Sequence, residues 1–146
     1  MKKRRSFVKR TLLVLMMALL AAMLFVSCSN NADELQYPDV AFTDLKGTWM
    51  TSFGNEYVSL YFYVSTGDST SADMARLTEV KSGASDKESE MEVSINGATI
   101  TFTATDATEY KYKARIDGKK LILTQVGDKS FLKLYSDKTL TMSKAG

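Results

Sequence analysis

From about residue 45 onward, apolar side chains recur at every second position in short runs, and clusters of Gly, Asn, Asp, Ser and Lys separate one run from the next. A period of two belongs to a β-strand that turns one face to a core and the other to water, whereas a helix repeats its apolar positions every three to four residues. The runs predict strands near 46–52, 57–65, 74–81, 89–95, 98–105, 108–116, 119–126, 130–135 and 138–143. No long window carries a helical period.

Two turn dipeptides propose a register. Asn96-Gly97 and Asp117-Gly118 suit a two-residue type I′ hairpin loop, in which both central residues take positive φ. Pairing outward from the first sets Ile95 opposite Ala98, Val93 opposite Ile100 and Met91 opposite Phe102; Ser94, Glu92 and Glu90 then face Thr99, Thr101 and Thr103 on the other side. Pairing from the second sets Ala114 opposite Leu121 and Tyr112 opposite Leu123, with Lys111, Lys113 and Arg115 on the reverse face. Apolar and polar residues sort onto separate faces, as a half-buried sheet requires. Successive hairpins make an antiparallel meander, and eight or nine strands hide their edges by closing into an up-and-down β-barrel. A two-sheet sandwich is the alternative.

The N-terminus follows other rules. Lys2, Lys3, Arg4, Arg5, Lys9 and Arg10 precede an uninterrupted apolar run from Leu12 to Val26. A basic stretch followed by an apolar run too short for an ordinary membrane span is the pattern of a cleaved export signal, here residues 1–27. A retained anchor helix in a thin bilayer is the competing reading. Residues 28–44 are polar, aperiodic and hold the only proline, Pro38, so they read as a tether; a flexible stretch of that length spans about 20 to 25 Å. Residues 45–146 are then one small domain.

Leu24-Phe25-Val26-Ser27-Cys28 resembles the lipobox of bacterial lipoproteins, with Phe25 where leucine is commonest. The resemblance implies cleavage before Cys28, acylation of its sulfur with fatty chains such as palmitate, and residence in the cell envelope, at the outer membrane. Cys28 is the only cysteine, so no disulfide forms within one chain. The alternative, an ordinary cysteine near a conventional cleavage site for which Ser27 and Ser29 supply the small residues, leaves a reactive thiol at an exposed end. Acyl chains hold a protein at a membrane at about 0.8 kcal/mol per buried methylene.

Cleavage changes the charge. All six basic residues of the leader leave and all 17 acidic residues stay, so the chain from Cys28 carries 13 Lys plus Arg and a net charge of about −4. The precursor's +2 is no argument for nucleic-acid binding.

Gly47-Thr48-Trp49, at the start of the first strand, resembles the G-x-W signature of lipocalins and lipocalin-like bacterial lipoproteins. The resemblance implies an eight-stranded barrel with the tryptophan closing one end. Lipocalins also carry a late arginine that packs across this tryptophan. From residue 130 onward this chain has Lys133, Lys138 and Lys144 but no arginine, so the likeness supports the barrel more than any lipocalin activity. Trp49 reads first as a core residue.

Histidine is absent and the one cysteine is assigned to the anchor, which removes His and Cys catalysis and the usual zinc ligand sets. Neither an enzyme nor a metal or cofactor is expected. Glu88, Glu90 and Glu92 form a carboxylate column, with Lys111, Lys113 and Arg115 placed about 10 Å away, near one Debye length. A solvated outer wall explains this column, as does a face for a protein or a loose calcium site. Val58, Leu60, Phe62 and Val64 share one face of their strand, and Tyr57, Tyr61 and Tyr63 share the other.

An eight-stranded interior is wide enough to be filled by side chains or to hold one small ligand, and the many bulky inward residues predict filling. A ligand inside would meet Trp49, Leu60, Phe62, Val93, Phe102, Tyr112 and Leu123. The expected function is therefore a non-catalytic envelope lipoprotein that binds a small apolar ligand or an envelope protein. The alternative is an inhibitor of host lysozyme or proteases acting through the loops Thr66 to Ser71 and Ser82 to Lys87.

Overall fold

The structure, a computed structural model, describes residues 37–67 and 70–146. Cys28, the expected export signal and most of the expected tether lie outside the described residues. One short helix, α1 (Phe42–Leu45), precedes eight strands: β1 (Gly47–Phe53), β2 (Glu56–Thr66), β3 (Ser71–Val80), β4 (Lys87–Asn96), β5 (Thr99–Ala104), β6 (Glu109–Asp117), β7 (Lys120–Val126) and β8 (Thr139–Lys144). Each pairs antiparallel with the next, and β8 returns to β1 through Trp49 opposite Lys144 and Met50 opposite Ser143. The sheet is a closed up-and-down barrel, which settles the choice against a sandwich.

Alternation places the core as expected. Val58, Leu60 and Phe62 of β2 point inward and are buried, as are Met91 and Val93 of β4, Ile100 and Phe102 of β5, Tyr110, Tyr112 and Ala114 of β6, and Leu121 and Leu123 of β7. Their neighbours in sequence face water, because successive side chains of a strand point to opposite faces.

Three expectations need correction. First, the β4–β5 and β6–β7 hairpins pair two residues away from the expected register. Val93 faces Phe102 and Ile95 faces Ile100; Ala114 faces Leu123 and Ile116 faces Leu121. The central residues of the loops are Gly97-Ala98 and Gly118-Lys119. Gly97 (φ 60°) and Gly118 (φ 59°) take positive φ, whereas Ala98 and Lys119 do not. That is the type II′ pattern, which needs glycine only at the first central position. A slip of two keeps every side chain on its face, so the inside and outside were read correctly with the wrong partners.

Second, residues 130–135 form no ninth strand. The connection between β7 and β8 turns into the mouth of the barrel instead, burying Phe131 and Leu132.

Third, packing begins before residue 45. Val40 is buried and its N–H donates to the Gly97 carbonyl at 3.1 Å, and Phe42 meets Phe62 edge-on with centroids 6.2 Å apart.

Candidate functional site

The topology gives the barrel two unlike ends. At one lie α1 and the β2–β3, β4–β5 and β6–β7 turns; at the other lie the β1–β2, β3–β4 and β5–β6 turns and the long β7–β8 connection. Of the two loops named for an inhibitor, Thr66 to Ser71 follows β2 and Ser82 to Lys87 follows β3, whose C-terminal ends lie at opposite ends of the barrel.

The α1 end is closed by Trp49. Its ring is buried, and the indole N–H donates to the Leu45 carbonyl at 2.7 Å, fixing α1 over the first strand. A cation does cross this ring: Lys144 Nζ lies 5.1 Å from its centroid. A lysine thus stands where the likeness to lipocalins called for an arginine. Gly47 begins β1 with a φ of 105°, a conformation that side chains rarely adopt, so the tight entry into the strand depends on glycine.

The opposite end is stoppered by the β7–β8 connection. Phe131 sits with its centroid 4.4 Å from Tyr112 and 5.0 Å from Phe102, and Phe102 also meets Phe62 at 6.1 Å. All seven residues expected to line a ligand cavity, Trp49, Leu60, Phe62, Val93, Phe102, Tyr112 and Leu123, do point inward and are buried. The interior they face is occupied in part by Phe131 of the same chain.

Hydrogen bonds hold the stopper. The Phe131 N–H donates to the Tyr112 hydroxyl at 3.2 Å, and that hydroxyl is 3.0 Å from Ser130 Oγ. Burial raises the Tyr112 phenol above its ordinary value, opposed by these bonds to Ser130 and Phe131.

The Glu79 carboxylate is fully buried and accepts from the Lys133 N–H at 3.0 and 2.9 Å and from the Leu134 N–H at 3.0 Å. Lys81 Nζ donates to the Leu134 carbonyl at 3.0 Å, and the Tyr135 hydroxyl to the Val80 carbonyl at 2.6 Å. Glu79 was not singled out in the sequence, although Ala75, Leu77 and Glu79 share one phase of their strand and mark it as an inward carboxylate. A buried carboxylate is tolerated when its oxygens accept hydrogen bonds, and the irregular backbone of the stopper supplies the donors.

On the outer wall, Glu88, Glu90 and Glu92 do form a column, but the cation beside it is Arg76 of β3, opposite Glu90 in the register. Arg76 Nη2 lies 2.6 Å from Glu90 Oε1, and the Tyr63 hydroxyl donates to the same oxygen at 2.9 Å. The bond to Arg76, and after it the one to Tyr63, holds the Glu90 carboxyl below its ordinary value. Tyr63 stacks on Tyr61, centroids 5.3 Å apart.

The basic residues Lys111 and Lys113 face Thr101 and Thr99, further along the barrel, because of the register shift. The loose calcium site is not formed: among the described residues no group of three or more His, Cys, Asp or Glu is placed to hold a metal ion. Carboxylates two apart on a strand are separated by about 7 Å, too far to share one cation without help from elsewhere.

Comparison with protein-family models, curated proteins and solved structures finds no match to this chain.

Proposed function

We propose that the chain is a non-catalytic lipoprotein of the bacterial cell envelope, anchored at the outer membrane through Cys28, whose lipocalin-like barrel binds a protein partner through its outside surface. The observation that carries the choice of a protein over a small apolar ligand is the seat of Phe131 between Phe102 and Tyr112. A ligand in the interior would have to displace this ring and the hydrogen bonds that hold its segment. The lipocalin-like reading is supported by Gly47-Thr48-Trp49 at the barrel entry and by Lys144 across the tryptophan.

The anchor is tested by expressing the full chain and its Cys28→Ser variant in a bacterium fed labelled fatty acid. The wild-type product should lose residues 1–27, partition into detergent and carry label. Label that persists in Cys28→Ser would overturn the anchor. Native mass spectrometry of the wild-type protein from its own host tests the interior: a reproducible added mass of a small apolar molecule would overturn the choice of a protein partner.

A further inference from the structure

Strand β4 is longer than the neighbour that should cover it. It runs for 10 residues and pairs with β3 along Lys87–Glu92, but β5 has 6 residues and its last pair is Ala104 with Met91. The cause is local. At Ala104 the chain leaves the sheet: the Ala107 N–H donates to the Ala104 carbonyl at 2.9 Å, Ala107 takes a φ of 63°, and the Thr108 N–H donates to Asp106 Oδ1 at 3.0 Å. Lys87, Glu88, Ser89 and Glu90 are therefore paired on one side only. In an antiparallel ladder successive residues send their N–H and C=O groups to alternate sides, so two of these four residues present both groups to the gap.

The free edge borders open space. Beside Glu88, Ser89 and Glu90 lies a cavity of about 400 Å³ with Phe131, Tyr110 and Lys133 on its inner side. A second, of about 350 Å³, continues it onto the outer wall past Met74 and Glu92. Glu90, Ala104 and Thr105 border both, so the two make one groove along the free edge.

Resting on the reading of the barrel as an outward binder, we infer that this edge receives an extended peptide of a partner protein, added as a strand beside Lys87–Glu90, with basic side chains alternating with apolar ones. The chemistry follows from the two faces of β4. A peptide residue opposite Ser89 points inward toward Phe131 and Tyr110, which suits an apolar side chain. Those opposite Glu88 and Glu90 point outward beside carboxylates.

Glu88 is exposed. Glu90 gives both Arg76 and Tyr63 the same oxygen, Oε1, leaving Oε2 without a partner among the described residues and open to an incoming cation. A second copy of the chain is the wrong occupant. Antiparallel pairing of two such edges about Ser89 sets Glu88 against Glu90 twice, and like charges directly opposite destabilise a sheet.

The test uses the full chain in detergent and a synthetic capped peptide, Gly-Lys-Leu-Lys-Val-Lys-Gly. Binding is expected to be saturable, with amide shifts at Lys87–Glu90 and Thr105. N-methylation of alternate peptide amides should weaken it about tenfold by removing ladder hydrogen bonds. Replacing the peptide lysines by glutamates should abolish it. The variant Glu88→Gln with Glu90→Gln should weaken it about tenfold, with amide changes in the unliganded variant confined to β4 and to the neighbourhood of Arg76 and Tyr63, which bond to Glu90.

Equal affinity for the N-methylated peptide would reduce the effect to charge adsorption and overturn the proposal. So would shifts confined to another surface, failure to bind, or self-association through this edge by sedimentation. The Cys28→Ser chain should bind the peptide equally, so loss of the anchor reading and loss of this one are separate results.

Discussion

Lys144 Nζ lies 5.1 Å from the centre of the Trp49 ring, and the two residues face each other across the seam that closes the barrel. The same ring donates its N–H to Leu45, so one side chain joins the first strand, the last strand and the helix that precedes both. A closed barrel needs every seam, and this one has only two paired positions, supplemented by the Ala145 N–H donating to the Thr48 carbonyl at 2.9 Å.

Lys144→Ala should therefore lower stability by about 0.5 to 1 kcal/mol, the size of a cation over an aromatic ring near the surface. Lys144→Arg should recover the loss or exceed it, because guanidinium stacks well on indole. Urea unfolding followed by Trp49 fluorescence reads both; an unchanged midpoint in Lys144→Ala would show that the contact adds nothing.

Phe131→Ala removes the ring that fills the mouth of the interior and should cost about 3 to 5 kcal/mol. If the variant remains folded, the vacated space is lined by Phe102 and Tyr112 and should take up xenon or benzene, seen by NMR, where the wild type does not. Loss of less than about 1 kcal/mol would mean that the stopper is not packed as described.

Glu79→Gln replaces one carboxylate oxygen by an amide nitrogen that cannot accept, leaving the Lys133 and Leu134 N–H groups a single neutral acceptor. Hydrogen bonds to a charged group contribute about 1.5 to 3 kcal/mol, so a loss in that range is expected. Hydrogen exchange should accelerate first at Lys133 and Leu134, with the strand amides still protected. Uniform acceleration across the barrel would contradict a local role.

Tyr112 carries an alkaline prediction. Its phenol is raised above 10.0, chiefly by burial, so the folded state favours the neutral form and binds more protons than the unfolded chain once the pH passes that value. Its contribution to stability is complete below pH 10 and declines as pH rises toward the folded-state value. Tyr112→Phe should flatten the alkaline fall in stability while losing about 1 kcal/mol at neutral pH through the bonds to Phe131 and Ser130. An alkaline limb as steep as that of the wild type would place the responsible group elsewhere.

Most of the barrel could be read from particular residues. Val58, Leu60 and Phe62 alternate with polar or half-buried neighbours, and that local rule suffices to say which side faces in. Trp49, Leu60, Phe62, Val93, Phe102, Tyr112 and Leu123 were all assigned to the inside, where they lie. The partners of those residues were less legible. Choosing Gly97-Ala98 rather than Asn96-Gly97 as the centre of a turn shifts the register by two without moving any side chain to the other face, so hydrophobic alternation cannot detect it. The same shift moved Lys111 and Lys113 further from the carboxylate column, whose cation is Arg76 on the opposite neighbour, β3.

The sequence by itself determined the β class, the inward and outward faces, and the presence of a single thiol, Cys28, directly after the N-terminal apolar run. All of these follow from residue type and spacing along the chain. Only the tertiary structure decided what the segment 130–135 does. Its pattern of Phe131, Leu132, Leu134 and Tyr135 reads as a strand because the sequence contains no sign that Glu79, more than 50 residues earlier, takes its N–H groups. The free edge at Lys87–Glu90 is equally invisible along the chain, since it exists only where a ten-residue strand outruns the six-residue strand beside it. Periodicity records the environment of each residue, whereas pairing and insertion depend on contacts between segments that meet only after the barrel has closed.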